Sequence, residues 1–415
     1  MWLLDGPVPM RYNSRILFIT QNSFEILPCK YNENFNNFVG KENINPMATL
    51  YFHIPFCRKI CTYCDFYKVG ALALLPRVVE VMHRELRERA STLHSPHLTS
   101  IYFGGGTPSL LSAREIQGLI DAARNLFDCS GVAEITLEAN PDDLTVEYVE
   151  ALRSTEVNRL SLGIQSFDDR VLHFMNRRHT ATEAEAAVAR LRAAGYDNLS
   201  IDIIFGVAGF GDTLSYTLRR AVALDVEHIS AYHLTVEERT KLGLLMRKGE
   251  YVPIADEESE AEYLAVHRAF VDAGYEHYEI SNYAKPGRRA QHNSAYWTGV
   301  EYLGIGPGAH SFTGHERRWC TSTAKQYAEG DMLFEAESLT ERDHLNEYVM
   351  TSLRRKEGVD LDYVERRFGA SERRRLESCA GEWIASGIVE FGNSSLAIRA
   401  EHFLVSDAVI ESLFA

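Results

Sequence analysis

From Met47 to about residue 235 the chain repeats one unit: a short apolar or β-branched run, a polar or glycine-rich turn, then a stretch of helical character. The runs are Leu50–Ile54, Ser100–Phe103, Glu134–Leu137, Arg159–Gly163, Leu199–Ile204 and His228–Tyr232. Helical stretches follow the first five, over Leu75–Ala90, Ala113–Phe127, Val146–Ser154, Asp168–Met175 and Thr213–Ala223. Strands that alternate with helices predict a parallel sheet closed or curled into a barrel. Six units rather than eight predict an α/β fold with a partial (β/α)6 barrel. In such barrels the chemistry sits at the C-terminal ends of the strands. Five consecutive runs end on or near unusual residues: a cysteine-rich loop, Gly104-Gly105-Gly106, Glu138, Gln165 and Asp202. That placement gathers them into one site.

The loop after the first run carries Cys57, Cys61 and Cys64 within eight residues. Three thiolates on one tight loop hold three irons of a cubane cluster and leave the fourth iron open to a small molecule. Zinc is the alternative; it wants four ligands, usually from two cysteine pairs, and His53 would have to be the fourth. Core packing asks for no such spacing. The remaining cysteines, Cys29, Cys129, Cys320 and Cys379, are scattered, so a disulfide framework is not expected and a reducing cytosol fits. A formal charge of -15 counts against non-specific binding to nucleic acid or anionic membrane. No run of 18 apolar residues occurs, and the start Met1-Trp2-Leu3-Leu4-Asp5 lacks the layout of a secretory signal.

The two ends of the chain differ from the barrel pattern. Residues 1–46 hold eight of the seventeen asparagines and show neither helical nor strand period. They read as a disordered or misassigned leader, with Met47 the favoured start; a chain beginning there is expected to fold and load its cluster. Residues 47–235 are the barrel, and residues 236–339 an extension of it. Within the extension Asp256–Ala273 reads as a helix, Glu276–Tyr283 as one strand, and Ala284–Tyr302 as loop. Residues 340–415 read as a small domain of three helices, a hairpin and a last helix, a winged-helix-like α+β shape. Its run Arg373-Arg374-Arg375 is better explained as a solvated helix face than as a nucleic-acid contact, so the domain reads as a cap or docking element.

Cys57-x3-Cys61-x2-Cys64, with the aromatic Tyr63, resembles the signature of the radical S-adenosylmethionine (SAM) superfamily. The resemblance implies a radical-SAM barrel with a [4Fe–4S] cluster on the three cysteines, its open iron chelated by the amino and carboxylate groups of SAM. It also implies that Gly105, Gly106 and Thr107 position SAM, and that Tyr51 touches its methionyl end. Glu138 and Asp202 would bond its ribose hydroxyls or amine, Gln165 and Arg177 would line the pocket, and Tyr63 would lie near the adenine. The bland alternatives are capping or ion-paired carboxylates, a surface arginine and a packed core aromatic.

The segment Tyr51–Tyr67, the string Arg159–Phe167 and the tail resemble the oxygen-independent coproporphyrinogen oxidase lineage, and within it a haem-chaperone branch. Two features separate the branches. The oxidases carry a further cysteine where this chain has Phe66, and a longer substrate-reaching arm for which residues 1–46 show no counterpart. His292-Asn293-Ser294-Ala295-Tyr296-Trp297 is similar to the H-N-x-x-Y-W motif of the chaperone branch. The resemblance therefore implies a cytoplasmic haem chaperone that holds a cluster, SAM and haem and passes haem to acceptor proteins, respiratory ones among them. His292 is the expected haem ligand, with Tyr296 and Trp297 as planar walls, and His310 is the second candidate. An electron donor such as a flavodoxin is expected, nucleic acid is not, and membrane contact would come only through an acceptor. The alternative is a true enzyme, the oxidative decarboxylase of coproporphyrinogen III, an activity not expected here.

Overall fold

The computed structural model describes residues 47–415; the leader, and the expectations attached to it, lie outside the described residues. Strands β1 (Met47–Ile54), β2 (His97–Gly105), β3 (Glu134–Ala139), β4 (Arg159–Gln165), β5 (Leu199–Phe205) and β6 (His228–His233) pair in parallel in chain order. Helices Leu75–Arg89, Ala113–Arg124, Val146–Leu152, Asp169–Phe174 and Gly211–Ala223 follow the first five, as the repeat predicts. A further helix, Ala181–Ala193, begins at a Thr180/Glu183 capping box. Such reciprocal caps satisfy two of the amide groups that every helix start leaves without a partner.

Side chains alternate across the barrel strands, and the two faces differ in kind. Leu50, Phe52 and Ile54 of β1, Ile101 and Phe103 of β2 and Leu160 and Leu162 of β4 belong to the apolar core shared with the helices. The inner face is polar: Ser100 Oγ meets His292, Tyr102 OH donates to Glu138, and Ser161 Oγ donates to Asp202. Burying such groups is tolerable because they bond one another. The barrel thus keeps its apolar packing outside and frees its interior for ligand.

The extension departs from the sequence reading in three ways. Glu276–Tyr283 is a hairpin rather than one strand: β7 (Glu276–Glu279) and β8 (Asn282–Ala284) run antiparallel, with β8 on the free edge of β6. The reversal at Ile280 and Ser281 is held from outside, because Ile280 N–H donates to Arg354 O and Ala231 N–H to Ser281 O. Within the expected loop lies a helix, Gln291–Trp297, whose first amides Gln291 and His292 are capped by the Glu134 carboxylate of β3. The chain then forms β9 (Glu301–Ile305), a seventh parallel strand on the other side of β1. Antiparallel β10 (His310–Phe312), β11 (Glu316–Cys320) and β12 (Phe334–Ser338) continue that edge, giving a mixed sheet of twelve strands among the described residues.

The C-terminal region has the winged-helix-like form: helices Glu341–Leu353, Leu361–Phe368 and Ala370–Cys379, then a wing of β13 (Val359–Asp360), β14 (Val389–Gly392) and β15 (Ser395–Ile398). It docks on the extension through Arg317–Glu347 at 2.7 Å and Tyr263 OH to Ala400 O at 2.6 Å. Arg373 is paired with Asp362 and Glu365, which accounts for part of the basic run. Among the described residues no helix is long and apolar enough to cross a membrane.

Candidate functional site

A cavity of about 840 Å³ opens at the C-terminal ends of the barrel strands and reaches the C-terminal region. At its inner end the cysteine loop is pinned to three neighbours. Cys57 N–H donates to Val69 O, Thr62 N–H to Met175 O and Leu242 N–H to Thr62 O. Cys57, Cys61 and Cys64 line the cavity and are half-buried. Thr107 Oγ1 lies 3.5 Å from Cys57 Sγ, and Arg177 Nη1 3.3 Å from Cys61 Sγ. These donors offset negative charge on sulfur, which a thiolate-held cluster needs.

Cys57, Cys61 and Cys64 face one cavity from one loop, with donors beside two of their sulfurs, and are the residues that would hold three irons of a cubane. No group of three or more His, Cys, Asp and Glu side chains among the described residues is gathered closely enough to hold a single metal ion. His53 is not a fourth ligand: its Nδ1 bonds Tyr51 OH at 3.0 Å and its Nε2 Tyr67 O at 3.3 Å.

The expected SAM-pocket residues share this end. Gly105, Gly106, Thr107, Glu138, Gln165, Arg177, Asp202, Tyr51 and Tyr63 all line the cavity. The glycine run has a packing reason of its own: a Cβ on Gly106 would come within 2.8 Å of Phe56 O. Its N–H donates to Ile54 O, so the glycine turn lies against the root of the cysteine loop. β4 bulges after Gly163, and Gln165 takes a left-handed φ of 70° there, the kind of bulge that re-aims a side chain beside a site. Arg177 donates to Asn140 Oδ1 at 2.6 Å and to Gly163 O, where a Cβ would crowd its guanidinium. Glu138 accepts from Tyr102 OH at 2.8 Å and Gly105 N–H at 3.1 Å. Burial, with the Asp202 charge, raises the Glu138 carboxyl to about 7. Burial raises Asp202 to about 6.

Sequence reasoning passed over Tyr102, Asn140 and Glu279. Tyr102 is two residues from Gly104 on the same strand face, and Asn140 adjoins the chosen Glu138-Ala139 strand end, so period-2 counting could have found both. Glu279 is buried, lines the cavity and is raised to about 7 by burial. It sits at the end of β7, which had been merged into a longer strand.

His292 is brought to a different place from the one its motif implies. It is fully buried among the inner-face polar groups, with Nδ1 2.8 Å from Ser100 Oγ and Nε2 2.9 Å from Tyr296 OH. Both ring nitrogens are committed, and burial, with the Arg159 charge, lowers its pKa to about 3. Ligation by His292 would require both bonds to break. Tyr296, Trp297 and His310 line the cavity.

Comparison with known proteins agrees with this geometry. The family model of the radical SAM superfamily matches residues 51–219. Heme chaperone HemW of Mycobacterium tuberculosis (strain H37Rv) is 34% identical over 374 residues, covering 88% of this chain and 94% of the relative. HemW of Bacillus subtilis (strain 168) is 33% identical over 86% of this chain and 96% of its own length. Among solved structures, the Escherichia coli coproporphyrinogen III oxidase HemN, described as a radical SAM enzyme, superposes with a TM-score of 0.74 at 22% identity, covering 89% of this chain and 90% of that one. That likeness speaks for the fold. The near-complete coverage of the curated relatives goes further: the chain belongs to the HemW family of the radical SAM superfamily.

Proposed function

We propose that this chain is a haem chaperone: it binds haem, a [4Fe–4S] cluster and SAM, and delivers haem to acceptor proteins. The observation that carries the reading is the similarity, over 86–88% of this chain, to relatives named heme chaperone. The cavity supports it, since one chamber joins the cysteine loop to the aromatic side chains Tyr296, Trp297 and Tyr348. A [4Fe–4S] cluster held there would supply one-electron reducing chemistry for SAM. The chain's own part is to hold and orient. Cys57, Cys61 and Cys64 hold iron, while Arg177 and Thr107 temper the charge on sulfur. Glu138 and Asp202 offer carboxylates to the cationic ligand. Haem-accepting partners, respiratory proteins among them, and an electron donor such as a flavodoxin complete the proposal, with membrane contact only through an acceptor and a cytoplasmic setting.

A second reading, oxidative decarboxylation of coproporphyrinogen III, is favoured by the fold shared with HemN across most of both chains. Against it stands Phe66, where the oxidases have a further cysteine. The deciding experiment gives anaerobically reconstituted protein both coproporphyrinogen III and haem. Retention of haem without consumption of coproporphyrinogen is expected; formation of protoporphyrinogen would overturn the chaperone reading.

A further inference from the structure

The outer end of the cavity is assembled by two segments far apart in the chain. The turn between β10 and β11 carries His315, the helix Glu341–Leu353 carries His344, and both line the cavity. Their rings meet edge to face with centroids 5.7 Å apart. Among the described residues neither ring enters a hydrogen bond, whereas His292 has both nitrogens engaged.

The helix bearing His344 is divided by face. Leu345, Val349 and Leu353 are buried in the core. His344, Tyr348 and Thr351 recur at helical spacing on the other side and face the cavity. Tyr348 continues into a ring series with Tyr363 at 4.6 Å. At the far end of this face, Arg355 lines the cavity with its Nε buried and without a hydrogen-bond partner. Among the described residues its guanidinium makes no ion pair. A half-buried guanidinium without a carboxylate partner is open to an acidic group on a ligand.

Two imidazoles, flat aromatic walls and an unpaired guanidinium form the complement of an iron porphyrin with acidic side arms. We infer that haem iron is held by the His315–His344 pair rather than by His292, with the macrocycle along Tyr348 and a propionate on Arg355. This rests on the haem-chaperone reading and adds the site to it. His292 then belongs to the barrel's polar interior, and Trp297 supplies a cavity wall.

The test is a hemin titration of the full-length protein, followed by visible absorbance and electron paramagnetic resonance. It compares the unaltered chain with His315→Ala/His344→Ala, His292→Gln and Arg355→Ala. Neither His315 nor His344 is a buried core residue, so the double variant should fold, which far-ultraviolet circular dichroism checks. The double variant is expected to lose the imidazole-ligated low-spin signal and to bind hemin about tenfold more weakly or worse. Added imidazole should restore the low-spin signal, and iron and sulfide content of the cluster should not change. Arg355→Ala should weaken affinity while keeping the signal; His292→Gln should keep both. A double variant whose signal and affinity match the unaltered chain overturns the pair and leaves the chaperone reading standing. An unaltered chain that takes up no hemin overturns that reading instead.

Discussion

The two ends of the cavity are built on opposite principles. At the cysteine end polar side chains are tied to neighbouring groups: Arg177 to Asn140 and Gly163, Thr107 to Asn140, Glu138 to Tyr102 and Gly105. At the C-terminal end rings lean on rings, Tyr363 is 37% exposed, and Arg367 is paired with Glu341 at the surface. The first arrangement suits a ligand of fixed shape whose atoms must be placed within tenths of an ångström. The second suits a large ligand that must enter and leave, because rings can part without breaking the ion pairs, such as Arg317–Glu347, that hold this end in place.

The sharpest way to break the contrast is Cys61→Ala. Iron should fall from about four per chain to near none, because a cubane is held through its thiolates. Replacing Cys129, Cys320 or Cys379 should leave it unchanged; iron and sulfide analysis after anaerobic reconstitution decides. A smaller effect is expected from Arg177→Ala, which strips partners from Asn140 and the Gly163 carbonyl. Denaturant melts should show a loss of about 2–3 kcal/mol. Arg367→Ala, removing a surface ion pair, should cost no more than about 0.5 kcal/mol. Equal losses would erase the distinction between the two ends.

Glu138→Gln sharpens the comparison through pH. The folded-state pKa of Glu138 is raised, so its neutral form is the stable one in the ligand-free chain. Its stabilising contribution is complete below the ordinary carboxylate range and is lost as pH climbs through about 7. At pH 8 the glutamine variant should therefore be more stable without ligand. The gain should be on the order of 1 kcal/mol, less than a sealed site would give, since Glu138 faces the cavity. In the proposed pocket the cationic amino group of SAM would favour the ionised carboxyl, so in the unaltered chain affinity should rise from pH 5.5 to pH 8, and the variant should flatten that rise. Calorimetric titration at both pH values measures it; a variant with an unchanged profile would remove Glu138 from the pocket. Trp297→Ala is expected to lose about 0.5–1.5 kcal/mol in hemin affinity with cluster iron intact. Loss of iron there would mean that the two ends are coupled.

The same division explains what could be read before any coordinates. The six barrel strands, the cysteine loop and the strand-end residues were legible because alternation and turn chemistry are local. The helix Gln291–Trp297 was not, because the carboxylate that caps it, Glu134, belongs to a strand far earlier in the chain. β9 was hidden for a similar reason: Glu301–Ile305 is short, and its pairing partner is β1. His315 and His344 carry no spacing signal at all, since β11 and β12 intervene between them. Motif reading favoured His292, which stands beside Tyr and Trp in sequence, yet its neighbours in space are Ser100 and Tyr296.

The pairing of β1 also sets a schedule for biogenesis. The strand that leads into the cysteine loop has β2 on one edge and β9 on the other, and β9 is completed about 250 residues after β1. At about 5–20 residues per second, ribosomes need some 10–50 s to bridge that gap. Through that interval one edge of β1 awaits its neighbour, and the three thiols have already been synthesised. Cluster assembly machinery that acts after release from the ribosome would meet a finished cradle, whereas oxidants acting during synthesis would meet an incomplete one.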